Sequence, residues 1–247
     1  MAHEKYRVTP AGRAAWEKKD PAVPSDYRLL LWMIDFNGAA SVESFVAQFP
    51  EQNLGECLSE MAELGLVEVA AGAAERPGDE PAADIVALAA SELPIVAEAL
   101  DRHGAYVAKD RLQARPLLAK RPQEVSVLIV EDDPDQLALA GLRTSLAGFA
   151  VRTAGSQAAM LRSIADDGAP DLMLLDVVLP DGHGFRILQN LRRMGALARL
   201  PIVLLTAKAR PADVLEGLRL GADGYITKPY SKALLASVVA EVLRLPA

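Results

Sequence analysis

Four short segments of this chain end on groups able to do metal or phosphate chemistry. Glu131-Asp132-Asp133 follow an apolar run and precede Pro134. Asp176 closes Leu172-Met-Leu-Leu175, Thr206-Ala207 close Pro201-Ile-Val-Leu-Leu205, and Lys228-Pro229 follow Gly224-Tyr-Ile-Thr227. Crowded carboxylates repel and need a counter-charge. Hard oxygen ligands suit Mg²⁺, which keeps several waters and takes only one or two protein carboxylates. Lys228 adds a fixed positive charge, and Thr206 offers a hydroxyl to whatever Asp176 carries. Metal, ammonium and hydroxyl are what a phosphoryl group in transfer requires, because its charge spreads over the equatorial oxygens. In that setting Asp176 is a nucleophile and becomes an aspartyl phosphate. Taken singly, Asp132-Asp133-Pro134 reads as a helix cap with an acidic first turn, and Asp176 and Thr206 as turn residues.

The elements that must position these groups follow from periodicity. Apolar runs at 125–130, 149–154, 172–175, 201–205 and 224–227 alternate with helical patterns at about 134–147, 156–167, 183–194, 212–220 and 231–244. Strands alternating with helices predict a parallel sheet covered on both faces. Ligands of such sheets lie beyond the carboxyl ends of the strands. A flavodoxin-like doubly wound order, 2-1-3-4-5, would set the first, third, fourth and fifth strands side by side.

Residues 124–247 resemble a response-regulator receiver domain of two-component signalling. The resemblance rests on Val127-Leu-Ile-Val-Glu-Asp-Asp-Pro134, Leu174-Leu-Asp176-Val-Val-Leu-Pro180-Asp-Gly-His-Gly184, Leu204-Leu-Thr206-Ala207 and Gly221-Ala-Asp-Gly-Tyr-Ile-Thr-Lys228-Pro229. Asp133 precedes Asp176 by 43 positions, and Thr206 and Lys228 follow it by 30 and 52. The resemblance implies that Asp176 is the phosphoacceptor. It implies Mg²⁺ held directly by Asp133 and Asp176, by Asp132 through water, and by the Val178 carbonyl. Thr206 and the Ala207 amide would hold phosphoryl oxygens, Lys228 would pair with the phosphate across a cis bond to Pro229, and Tyr225 would rotate inward as Thr206 moves. It further implies a histidine kinase or phosphotransfer protein as donor, and no enzymatic turnover beyond self-phosphorylation and slow self-dephosphorylation. A phosphatase or kinase reading fares poorly, because the chain has no Gly-x-x-x-x-Gly-Lys-Ser/Thr loop and no nucleophilic Asp on the first strand with a second acid two residues after it.

Residues 1–72 predict a mostly helical domain. Thr9 caps a helix opening at Pro10; others are expected at Tyr27–Phe36, at 42–49 before Pro50, and at 54–64, closed by Gly65 and followed by the strand Leu66-Val-Glu-Val69. Three short helices, a glycine and a strand resemble a winged helix-turn-helix domain, which invites a DNA-binding reading. Charge opposes it: residues 1–72 hold six Lys/Arg against eleven acids, and the helix at 54–64 carries Glu56, Glu60 and Glu63 with no basic residue. A helix that approaches phosphates normally carries Arg or Lys. The reading favoured is therefore a protein-interaction or dimerisation module, with DNA as the alternative partner. Residues 73–123 are expected to be a linker with a helix at about 85–103 and a short strand at Gly104–Ala108. The helix at 231–244 carries Leu234, Leu235, Val238, Val239 and Val242, more than one buried stripe needs, so part of it is expected to meet a partner or second copy.

The composition agrees with this division. Of 247 residues 51% are hydrophobic, enough for two modest cores, and the net charge of -7 argues against non-specific nucleic-acid binding. The single cysteine, Cys57, cannot form an internal disulfide. No apolar run approaches the ~20 residues of a membrane span, and the N-terminus lacks an apolar signal region, so a cytoplasmic protein is expected.

Overall fold

The structure, a computed structural model, describes the chain except residues 1–3, 19, 43–44, 47–52, 71–93, 114–115, 180–181, 196, 208–210 and 246–247. The chain divides into two compact units, Met1–Asp79 and Glu80–Ala247.

The first unit contains β1 (Lys5–Val8), α1 (Pro10–Glu17), α2 (Ser25–Asn37), β2 (Ala40–Ser41), α3 (Leu54–Glu63) and β3 (Val67–Val69). The three strands form an antiparallel sheet in the order β2-β1-β3. Thr9 caps α1 as its sequence predicts: its Oγ1 accepts from the Gly12 amide at 3.1 Å and donates to the Gly65 carbonyl at 2.6 Å. A Cβ on Gly12 would lie 2.0 Å from the Leu66 carbonyl oxygen, so only glycine lets α1 pack this closely on the turn before β3. Helix α2 begins two residues before the expected Tyr27 and buries Leu30, Leu31, Trp32, Met33, Ile34 and Phe36. The helix expected at 42–49 falls largely outside the described residues.

The second unit opens with α4 (94–103), β4 (Ala105–Val107) and α5 (Lys109–Gln113). An alternating series follows: β5 (Ser126–Val130), α6 (Pro134–Leu146), β6 (Ala150–Ala154), α7 (Gln157–Asp167) and β7 (Leu172–Asp176). Next come the two-residue strands β8 (Val178–Leu179) and β9 (Gly182–His183), then α8 (Gly184–Arg193), β10 (Ile202–Thr206), α9 (Pro211–Leu220), β11 (Gly224–Thr227) and α10 (Lys232–Leu243). The main sheet has the order β4-β11-β10-β7-β5-β6. Five strands are parallel, and β4 pairs antiparallel with β11. Strands β7 and β10 are buried along their whole length, which explains why they read as unbroken apolar runs.

At 94–113 the helix and the short strand expected within the linker are present, at 94–103 and Ala105–Val107, but the segment is not a free connector. These residues fold onto the sheet: Val107 and Leu112 are buried in one cluster with Leu235, Val238, Val239 and Val242 of α10. The surplus apolar surface of α10 therefore faces the chain's own preceding segment, where a partner was expected. The strand itself is legible in the sequence, but its pairing is not, because its partner lies over a hundred positions away.

Candidate functional site

Each group is delivered by the end of an element. Strand β7 lies between β5 and β10 and stops on Asp176, because the antiparallel pair β8–β9 turns the chain away. The turn closes on Gly184, whose amide donates to the Val177 carbonyl at 2.9 Å. A Cβ there would stand 2.3 Å from the Asp176 carbonyl oxygen, so the final glycine of the Pro180–Gly184 stretch is required by contact with the site strand itself. The Asp176 carboxylate is almost fully buried. Its Oδ1 accepts from the Val178 amide at 3.1 Å, and its Oδ2 accepts from Lys228 Nζ at 2.6 Å.

Lys228 follows β11 directly, and its bond to Pro229 is cis. Its amide donates to the Thr206 carbonyl at 2.7 Å, joining the ends of β10 and β11, and its ammonium also bonds Glu131 Oε2. Burial alone would push the Lys228 pKa down, but the hydrogen bonds it donates to Asp176 and Glu131 hold it above the ordinary lysine value. The Glu131 pKa is raised as well, which for a carboxyl disfavours the charged form. Burial raises its pKa, the nearby Asp176 charge adds to this, and Lys228 only partly offsets it.

Carboxylate oxygens of Glu131, Asp132 and Asp176 lie within 4.8 Å of one another. The acids brought together are thus Glu131 and Asp132 with Asp176, where the sequence reading pairs Asp132 with Asp133. Asp133 caps α6: its Oδ1 accepts from the amides of Asp135 and Gln136 at 2.9 and 3.0 Å, and its Oδ2 from the Gln136 side chain at 3.2 Å. Those Gln136 bonds, chiefly, hold its pKa below the usual range. Strand β5 ends at Val130, so Glu131 and Asp132 are the residues that overhang the sheet, and Asp133 belongs to the helix start. Glu131, the first acid of the run and outside the pair read from the sequence, thus belongs to the carboxylate cluster. Pro134 at the first helical position marks the residue before it as the cap, a local signal that the sequence reading notes for Asp132-Asp133-Pro134 but does not use to choose the pair.

The remaining predicted residues fall around this cluster. Thr206 ends β10 and is buried; Ala207 follows it in an exposed bend. The Tyr225 ring is already inward, 1% exposed, with its hydroxyl donating to the Asp213 carbonyl at 3.0 Å. Desolvation by burial raises its pKa. A Cβ on Gly217 would fall 1.5 Å from the Tyr225 hydroxyl oxygen, so a glycine on α9 makes the space the ring occupies. His183 caps α8, its Nδ1 accepting from the Phe185 amide at 3.4 Å, and is exposed.

Three carboxylates around one ammonium leave two formal negative charges, and every ligand atom is a hard oxygen. That donor set fits a divalent cation of the Mg²⁺ type.

The family model described as response regulator receiver domain matches residues 127–240. Transcriptional regulatory protein GltR of Pseudomonas aeruginosa is 39% identical over 119 residues, covering 48% of this chain and 49% of that protein. The phosphate regulon transcriptional regulatory protein PhoB of the same organism is 34% identical over 119 residues, covering 48% and 52%. The chain spans about half the length of the curated relatives it matches. A crystal structure of response regulator DrrB, a Thermotoga maritima OmpR/PhoB homologue, aligns with 28% identity and a TM-score of 0.44, covering 49% of this chain and 52% of that one.

Proposed function

We propose, from the premise that residues 127–240 are a response regulator receiver domain, that Asp176 receives a phosphoryl group from a histidine kinase or a phosphotransfer protein. The transfer switches a protein–protein contact made through the first unit or through the face of residues 212–244. The observation that carries this reading is the Asp176 carboxylate, buried at a strand end, bonded to Lys228 and flanked by Glu131 and Asp132 oxygens. Lys228 holds Asp176 Oδ2 and would follow the charge onto the phosphoryl oxygens, while Thr206 and the Ala207 amide would receive the others. Asp132, Asp176 and the Val178 carbonyl are the groups that would hold Mg²⁺, with Glu131 engaged by Lys228. When bound, the cation would neutralise charge developing on the phosphoryl oxygens. The site stores a phosphoryl group and does not turn over a substrate.

The test is incubation of the full chain with Mg²⁺ and acetyl phosphate, read by intact mass. The expected result is one phosphoryl addition, absent in Asp176→Asn; uptake by that variant at the wild-type rate removes Asp176 as acceptor.

DNA is the second reading, because the relatives named above are transcriptional regulators. Against it, Glu56, Glu60 and Glu63 are all exposed on α3, and an anionic helix face is repelled by phosphates. Specific retention of a genomic fragment at physiological salt, with or without phosphodonor, would establish the DNA reading; no retention is expected.

A further inference from the structure

Residues 104–113 are fastened along the edge of the second unit's sheet, and the first of these anchors lies next to the phosphoacceptor site. The Gly104 carbonyl accepts two hydrogen bonds from Thr227, the residue before Lys228: from its amide at 2.9 Å and its hydroxyl at 3.0 Å. Gly104 has φ +70, and a Cβ there would press on Leu234 and on the Thr227 hydroxyl at 3.3 and 3.4 Å, so glycine suits this turn from α4 into β4. Further along, Tyr106 stands opposite Tyr225, and the Ala108 amide donates to the Asp223 carbonyl at 2.9 Å. Arg111 donates to the Leu218 carbonyl at the end of α9 at 2.9 Å, and Arg244 donates to the Leu112 carbonyl at 3.4 Å. Val107 and Leu112 meanwhile cover apolar side chains of α10.

The geometry points to a strap: residues 104–113 sense the charge state of Asp176, and its phosphorylation loosens their seat on β11. The inference rests on Asp176 being the phosphoacceptor. The Lys228 ammonium is divided between Glu131 and Asp176. A phosphoryl group adds roughly -1.5 to -2 charge near pH 7, which draws the ammonium from Glu131 towards the new oxygens. Lys228 and Thr227 are adjacent in the chain, so the displacement falls on the two bonds that hold one carbonyl oxygen of the strap. The ring of Tyr225 links the same strand to α9 through Asp213, so the Leu218 anchor of Arg111 is disturbed with it. A local charge event thereby biases an element with a seated and a loosened state. Residues 1–79 lie N-terminal to this strap in sequence, which makes it the covalent route by which the site would address the first unit.

Hydrogen–deuterium exchange on the full chain tests this, with Mg²⁺ and acetyl phosphate and intact mass recorded on the same sample. Amides 105–108 are expected to exchange at least threefold faster once the phosphoryl mass is present, while 150–154, on the opposite edge strand, stay unchanged. Arg111→Ala, which touches no site residue, is expected to raise the basal exchange of 105–108 without any phosphodonor. Phosphoryl uptake with unchanged or slower exchange at 105–108 overturns the strap and leaves the phosphoacceptor reading standing. Unaltered basal exchange in Arg111→Ala overturns the part given to the Leu218 anchor. Absence of the phosphoryl mass overturns the phosphoacceptor reading, and the strap with it.

Discussion

Replacing Lys228 by methionine, which keeps an unbranched chain and removes the charge, isolates what the ammonium contributes. In the wild type it joins Glu131 and Asp176, whose side chains are 2% and 11% exposed. Removing one partner of a buried ion pair leaves the other charge uncompensated, at about 3–5 kcal/mol. The small remaining exposure of Asp176 places the expected loss near the lower end, about 3 kcal/mol. For a unit of this size that lowers the Tm by roughly 6–12 °C. The sign with pH is determined by Glu131, whose folded pKa already stands above its ordinary value because of burial and the Asp176 charge. A carboxyl whose folded pKa is raised binds more protons folded than unfolded, so stability falls as pH climbs from about 4.3 through the folded value. Without the cation this fall deepens. The Lys228→Met deficit is therefore largest at pH 8 and shrinks towards pH 5, and Glu131→Gln added to Lys228→Met recovers part of it. Urea unfolding followed by far-UV circular dichroism measures this. Both tryptophans, Trp16 and Trp32, lie in the first unit, so their fluorescence serves as an internal control that should not move. A deficit equal at both pH values would mean lost packing and not lost charge, and would refute the reasoning.

Other expectations follow from the same geometry. Asp132→Ala should weaken Mg²⁺ binding by more than tenfold in calorimetry, while Asp133→Ala should leave it within about twofold and instead lower thermal stability, because a helix cap is lost; the reverse ranking would restore the register first read from the sequence. Gly217→Ala should destabilise the second unit by about 1–3 kcal/mol through overpacking against Tyr225, and Tyr225→Ala should relieve most of that in a double-mutant cycle; additive losses would contradict the contact. Gly184→Ala sets a Cβ against the Asp176 backbone, which cannot yield as a flexible side chain can, and should cut the rate of phosphoryl uptake at least tenfold, about 1.4 kcal/mol of barrier; wild-type uptake would show that the turn tolerates the methyl group.

The sequence by itself determined the alternating strands and helices of the second unit, because strands buried on both faces must be written as unbroken apolar runs. It also placed Asp176, Thr206 and Lys228 at strand ends, since a polar residue closing such a run can only stand at the rim. The caps at Thr9 and the breaks at Gly65 and Gly104 were legible for a local reason: turns and helix ends are chosen by neighbouring residues. What was not legible depends on where an element stops relative to another. Pro134 hints that the third acid of the run caps a helix, but which two overhang the sheet was decided by the end of β5 at Val130 and the capping bonds of Asp133. The need for Gly184 and Gly217 arises from a carbonyl and a tyrosine ring brought in from other elements. The seating of residues 104–113 on β11 and α10 likewise follows from contacts made across more than a hundred positions, where local propensity carries no information. Types and local order were written in the chain; which carboxylates face one another, and which apolar face is already covered, were settled only by packing.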